Sequence, residues 1–181
     1  MKKITKYENF LSDELFEKVY KHIQEIIKND SLFRVSNFVW NNYIVLESAP
    51  VLLYTLNSEN TPFFDELVNE IETKSQYTLT VPIVNFYIWT NSSYIPWHDD
   101  GAYSAGLTIY LNNKWDLNWG GLFLYKDEND EVKSVTPQKN RAVLQEGGVP
   151  HSVTLTTTQA DYRYTLQLFF KHKDKFSKTL L

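Results

Sequence analysis

Residues 162–170 read "YRYTLQLFF", and the alternation in this stretch decides the fold class. In an extended chain successive side chains point to opposite faces, so Tyr164, Leu166, Leu168 and Phe170 make an apolar face. Arg163, Thr165, Gln167 and Phe169 make the other, mostly polar one. Such a strand buries its apolar face against a core. The polar face allows two readings. It lies outward with Arg163 in solvent, or it looks into the fold. There a permanently charged guanidinium requires an anion, and a carboxylate gripped by two parallel hydrogen bonds is the natural partner.

Runs of β-branched and aromatic residues lead up to this strand: "YTLTVPIVNFYIW" from Tyr77, "AGLTIYL" at 105–111, "GLFLYK" at 121–126, "EVKSVT" at 131–136, "RAVLQE" at 141–146 and "HSVTLTT" at 151–157. No helical segment separates them, which predicts a mainly β double-sheet jelly roll rather than repeated βαβ units. Helices are predicted before the sheet. After Ser12, an N-cap residue, Leu15, Phe16, Val19, Tyr20, Ile23, Ile26 and Ile27 fall on one helical face. Thr61 and Pro62 open a second helix as cap and first turn, with Phe63, Phe64, Leu67, Val68 and Ile71 as its buried stripe. The expectation is one domain over 1–181, with helical support over 1–76, a catalytic β core over 77–171 and a basic tail over 172–181.

Composition bounds the function. The chain has 181 residues, 43% hydrophobic and 15% aromatic, enough to build a core. A net charge of −4 argues against broad nucleic-acid binding. The lysines at 171, 173, 175 and 178 read as a solvated tail or a local basic patch. No cysteine is present, which excludes disulfides, thiolate metal sites and a cysteine nucleophile, so any metal must take nitrogen and oxygen ligands. The opening "MKKITKYENFLSDEL" lacks the apolar core of a secretory signal, and no run reaches the length of a membrane helix. A cytoplasmic protein with no membrane partner is expected. Neither G-x-G-x-x-G nor a P-loop lysine occurs, and oligomeric state leaves no signal.

The chemistry concentrates around "SSYIPWHDDGAYSAG", residues 92–106. His98 and Asp100, two apart, share a face in an extended segment, whereas Asp99 points away. A mononuclear nonheme iron(II) site takes two imidazoles and one carboxylate on one side of the metal. Of the four histidines, His22 falls inside the first helix and His172 in the tail, which leaves His151 in "QEGGVPHSV". His98, Asp100 and His151 are the candidate set. The plainer alternative is a turn hydrogen-bond network at His98 and Asp100, with His151 a strand histidine satisfied by the backbone. In "AGLTIYL", Gly106, Thr108 and Tyr110 share a face, and the Tyr110 hydroxyl is placed to join Arg163 at an acidic ligand. Asn85, Tyr87 and Trp89 share a face of the strand leading to His98, as pocket wall or as core.

Taken in this order, the residues of 80–171 resemble the iron(II)- and 2-oxoglutarate-dependent oxygenases of the prolyl hydroxylase type, including the oxygen-sensing prolyl hydroxylases. "NFYIWTNSSYIPWHDD" resembles their strand, turn and H-x-D segment, with Tyr87 and Tyr94 at pocket-lining positions. "TIYLNNKWDLNWGGLFLY" resembles the segment whose tyrosine, here Tyr110, contacts the cosubstrate. "VPHSVTLTTTQADYRYTLQLFF" resembles the final segment, with a histidine ligand and then the basic residue, here Arg163, that holds the distal carboxylate of 2-oxoglutarate.

The resemblance implies a double-stranded β-helix, Fe(II) on His98, Asp100 and His151, 2-oxoglutarate as cosubstrate and O2 as oxidant. Asn85, Tyr87, Tyr110, Arg163 and Thr165 are the expected cosubstrate residues. It also implies hydroxylation of an aliphatic C–H bond of an amino-acid-like substrate, a prolyl residue of a peptide or a small molecule, with release of succinate and CO2. Halogenases of this kind replace the carboxylate ligand with a small residue, and Asp100 is present here. Gln167 stands where the oxygen-sensing enzymes carry a threonine. The competing reading is a non-catalytic jelly-roll module that recognises a peptide or sugar through Trp89, Trp97, Trp115 and Trp119.

Overall fold

The computed structural model describes residues 3–29, 33–35, 49–79, 83–101 and 103–170. Among these the chain runs β1 (Ile4–Tyr7), α1 (Asp13–Ile27), β2 (Arg34–Val35), β3 (Val51–Leu56), α2 (Phe64–Ser75), β4 (Val84–Trp89), β5 (Ile95–His98) and β6 (Ala105–Tyr110). It continues with a short 3-10 turn (Leu117–Trp119), β7 (Phe123–Lys126), β8 (Val132–Val135), β9 (Ala142–Glu146), β10 (His151–Val153) and β11 (Arg163–Phe170). The strands form two antiparallel sheets, a 7-stranded one in the order β1-β9-β6-β11-β4-β3-β2 and a 4-stranded one in the order β5-β10-β7-β8. This is the expected double-stranded β-helix with helices packed on it.

Two cores hold it together, one on each face of the large sheet. On the outer face Leu15, Phe16, Val19 and Ile23 of α1 and Leu67 and Ile71 of α2 meet Phe86, Ile88, Leu107, Ile109, Leu166, Leu168 and Phe170. Each large apolar side chain buried there contributes about 1.5–3 kcal/mol. On the inner face Leu53, Tyr87, Trp89, Tyr110 and Val143 meet Phe123, Val135 and Val153 of the small sheet. The apolar side of β11 feeds the first core, and its polar side looks between the sheets. Of the two readings of Arg163, the inward one holds.

The helices follow their sequence signals at α1 but not at the start of α2. Ser12 caps α1 by accepting from the Leu15 backbone N–H. At the second helix Phe63 takes the N-cap position without a side-chain capping bond. The Thr61 hydroxyl bonds the Asn60 side chain instead, and the Thr61 carbonyl accepts from Phe64 N–H. The Thr61–Pro62 pair is therefore spent on a turn, and α2 begins at Phe64.

The segment expected as helical support also supplies strands. β1, an edge strand, pairs with β9, and β3, between β4 and the edge strand β2, pairs with β4. His172 and the basic tail lie outside the described residues. Among the described residues no helix is long and apolar enough to cross a membrane.

Candidate active site

The two histidines meet because their strands pair. β5 and β10 are antiparallel neighbours with His98 and His151 directly opposite, and the ring centroids lie 4.2 Å apart. Each ring is oriented by its own backbone. His98 Nδ1 bonds the Pro96 carbonyl at 2.8 Å, and His151 Nδ1 bonds the Val149 carbonyl at 2.8 Å. A carbonyl only accepts, so Nδ1 donates in both rings and Nε2 is the nitrogen left to bind a metal. Phe123 stacks on His151, with centroids 5.3 Å apart and planes at 22°.

Asp100 follows β5 by two residues and turns its carboxylate toward both Nε2 atoms. Its Oδ1 is 3.9 Å from His98 Nε2, and its Oδ2 is 3.5 Å from His151 Nε2. Ligand atoms of the three residues all lie within 4.8 Å of one another, a spacing that a metal with bonds of about 2.1 Å can bridge with small adjustments. Burial, and after it the neighbouring His98, lower the His151 pKa below the ordinary imidazole value. The Val149 carbonyl and the carboxylates of Asp100 and Asp99 pull the other way. The net result favours neutral His151, the form that binds a metal.

Behind the triad lies a buried cation. Arg163 is 1% exposed, and its Nε and Nη1 have no hydrogen-bond partner among the described residues. Its guanidinium sits 4.7 Å from the Trp89 ring centroid and 5.1 Å from that of Tyr110, a cation–π sandwich. The Tyr110 hydroxyl is likewise buried without a partner. Burial lowers the Arg163 pKa and raises that of Tyr110, and their closeness opposes both shifts. Desolvated donors left unmade cost several kcal/mol, so the donors that face each other here suit an anionic guest. Gly121 makes room for them. It has φ 64°, and a Cβ there would stand 3.2 Å from Arg163 Cδ and 3.1 Å from Trp115 Cζ2.

The remaining expected residues sit around this pair. Thr165 is fully buried and accepts from the Trp89 indole N–H at 3.1 Å, which fixes the ring over Arg163. The register Arg163↔Trp89, Thr165↔Tyr87, Gln167↔Asn85 places Tyr87 and then Asn85 progressively further from Arg163. Asn85 Oδ1 accepts from Thr55 at 3.3 Å. Gln167, Thr108 and Gln145 line a cavity of about 20 Å³ that joins His98 and His151 to Arg163, room for roughly one water. A cavity of about 630 Å³ lies on the α1 side, lined by Tyr20, Gln24, Asn112, Lys114 and Tyr162, and holds no histidine. Trp97 is 44% exposed, while Trp115 and Trp119 pack edge to face at 5.3 Å.

Phe123, Gly121 and Gln145 belong to the site without having been singled out in the sequence. Gln145 is 3% exposed and donates to Asp100 Oδ2 at 2.5 Å and to His151 Nε2 at 3.1 Å. Its signal was a polar side chain two residues after Val143 on one face of an otherwise apolar run.

No curated protein matches the chain in sequence. Among solved structures, a prolyl-4-hydroxylase from Pseudomonas putida is similar at a TM-score of 0.70 and 15% identity, over 93% of this chain and 92% of that one. A prolyl hydroxylase from Trichoplax adhaerens, in complex with a hypoxia inducible factor peptide fragment, is similar at 0.76 and 15% identity, over 93% of this chain and 83% of that one. The non-heme alpha-ketoglutarate dependent carbocyclase SnoK from nogalamycin biosynthesis is similar at 0.67 and 10% identity, over 94% of this chain and 80% of that one. These likenesses concern the fold. In sequence, residues 83–171 match the family model of the 2OG-Fe(II) oxygenase superfamily. That stretch begins at β4 and contains the paired histidines, Asp100 and the buried cation, and through it the chain belongs to the 2OG-Fe(II) oxygenase superfamily as a 2-oxoglutarate-dependent dioxygenase, whose cofactors are Fe(II), 2-oxoglutarate and O2.

Proposed function

We propose that the chain hydroxylates an aliphatic C–H bond of an amino-acid-like substrate, a prolyl residue of a peptide or a small molecule. The observation that carries this reading is the pairing, along one cavity, of a His-Asp-His cluster with a buried arginine whose Nε and Nη1 have no partner among the described residues. Two imidazole lone pairs and one carboxylate on one side suit iron(II). A guanidinium and a phenol hydroxyl suit the distal carboxylate of 2-oxoglutarate.

When bound, the iron, 2-oxoglutarate and O2 supply the oxidation: one oxygen atom enters succinate as CO2 leaves, and the other enters the substrate C–H bond as hydroxyl. The chain's share is to bind, orient and exclude water. His98 and His151 offer Nε2 as ligand atoms because the Pro96 and Val149 carbonyls hold the proton on Nδ1. Asp100 brings the single negative charge of the ligand set. Arg163 and Tyr110 anchor the cosubstrate, Thr165 holds Trp89 as one wall of that pocket, and Tyr87 and Asn85 continue the wall. The two prolyl hydroxylases of the same fold, one with a peptide in its complex, support an amino-acid-like substrate.

Anaerobic addition of iron(II) and 2-oxoglutarate is expected to give a weak visible charge-transfer band that Asp100→Ala abolishes. Incubation of a cell extract with enzyme, iron and 2-oxoglutarate is expected to yield a product heavier by one oxygen. Absence of the band in the unmutated protein sinks the reading.

A further inference from the structure

We propose that Gln145 is a positioning residue for Asp100. Its amide N–H holds the carboxylate oxygen that does not bind the metal, so Asp100 stays one-pronged and the positions across from the ligands remain open for 2-oxoglutarate and O2. The inference rests on the function proposed above.

The two oxygens of Asp100 are not equivalent. Oδ1 lies 3.9 Å from His98 Nε2 and accepts no side-chain hydrogen bond among the described residues, while Oδ2, 3.5 Å from His151 Nε2, is already taken by the Gln145 amide at 2.5 Å, which leaves Oδ1 as the oxygen free for a metal. Since a carboxylate only accepts, the Gln145 atom facing it is the amide nitrogen. The second N–H of that amide points at the His151 Nε2 lone pair, 3.1 Å away. A metal on His151 Nε2 would displace this N–H and leave the bond to Asp100. The amide is neutral, which matters here. A lysine or arginine in its place would neutralise Asp100 and compete with the metal, whereas a glutamate would repel it.

A second, independent feature fixes the amide. Gly106 of β6 is the register partner of Gln145 of β9. A Cβ on Gly106 would stand 3.2 Å from Gln145 Nε2, 3.3 Å from its Cγ and 3.4 Å from its Cδ. Glycine inside a strand weakens the sheet and marks a close approach. Here the approaching group is the Gln145 side chain, lying flat over the bare backbone of Gly106. The neighbouring strand is cut away to seat one amide against one carboxylate.

Gln145→Leu keeps the bulk and removes the hydrogen bond. With Asp100 free to bind two-pronged and fill a position, 2-oxoglutarate affinity is expected to fall roughly 10- to 100-fold, iron(II) affinity to fall less, and the anaerobic charge-transfer band to shift. Gly106→Ala, which retains Gln145 but crowds it, is expected to move the band in the same direction. In a Gln145→Ala background Gly106→Ala is expected to add nothing, because its target is gone. The proposal is overturned if Gln145→Leu leaves band position and 2-oxoglutarate affinity within twofold of the unmutated protein while Asp100→Ala abolishes the band. It is equally overturned if Gly106→Ala costs as much with Gln145 removed as with it present. A missing band in the unmutated protein brings down the proposed function itself, and this inference with it.

Discussion

Two arginines are buried among the described residues, and the fold treats them in opposite ways. Arg141, at the head of β9, is 8% exposed and fully engaged. Its Nε bonds both oxygens of Glu8 at 3.1 and 3.0 Å, its Nη1 bonds the Thr136 carbonyl and hydroxyl at 2.9 and 2.7 Å, and its Nη2 bonds Gln138 at 2.5 Å. Arg163, at the head of β11, is 1% exposed with aromatic rings above and below and two nitrogens unmade. A guanidinium kept for stability is surrounded by acceptors, as Arg141 is. One kept for a guest is walled mainly by aromatic rings, with Nε and Nη1 left unmade. The contrast separates structural from functional charge without reference to any relative.

The largest effect expected from this contrast is on cosubstrate binding. Arg163→Met keeps volume and removes the cation, and 2-oxoglutarate affinity should fall by about 2–5 kcal/mol, or 30-fold to several thousand-fold, with iron(II) affinity nearly unchanged. The same substitution should leave the metal-free protein as stable or up to about 3 kcal/mol more stable, because it removes a desolvated, unpaired charge. Calorimetric titration with 2-oxoglutarate in the presence of metal, and urea unfolding without it, read the two quantities separately. A variant that loses stability and both affinities together would show that Arg163 is structural after all.

Arg141→Met should behave in the reverse way. It removes bonds to Glu8, Thr136 and Gln138 and strands the acceptors of that corner, so stability should drop by about 1–3 kcal/mol. Affinity for 2-oxoglutarate per folded molecule should not change. Loss of cosubstrate binding in this variant, with stability intact, would erase the distinction between the two arginines.

The sequence carried this distinction only in part. Alternation in "YRYTLQLFF" separated the face with Arg163 from the apolar face, but it left open which face looked inward. That depended on the small sheet, whose strands β7, β8 and β10 are too short to show their partners in the primary structure. The triad was legible because histidines are scarce here and cysteines absent. The pairing of His98 with His151 was not, since register between distant strands is set by the whole sheet. Gln145 escaped notice because a lone glutamine in a strand has no chemical signature until its register partner proves to be glycine. At Thr61–Pro62 a local capping signal was overridden by the turn through Asn60, which delayed α2 to Phe64.

The smallest effect belongs to the other half of the Arg141 pair and tests whether that corner is electrostatic in the ordinary sense. The hydrogen bond from Arg141 acts most strongly and burial opposes it, and with the Arg141 charge and the nearby Lys6 the balance holds the Glu8 carboxyl below its usual pKa. A carboxylate with a lowered folded value stabilises the fold above its unfolded pKa of about 4.3, and that contribution is lost as pH falls through the folded value. Glu8 is 51% exposed at its side chain, so water and salt screen the pair and its worth is at most about 1 kcal/mol. The stability difference between the unmutated chain and Glu8→Gln should therefore be present at pH 7, shrink below pH 4 and diminish in 1 M salt. A difference that stayed constant down to pH 3 would mean that Glu8 acts through packing rather than charge. Arg141 would then be held by Thr136 and Gln138 alone, and its contrast with Arg163 would rest on neutral acceptors instead of an ion pair.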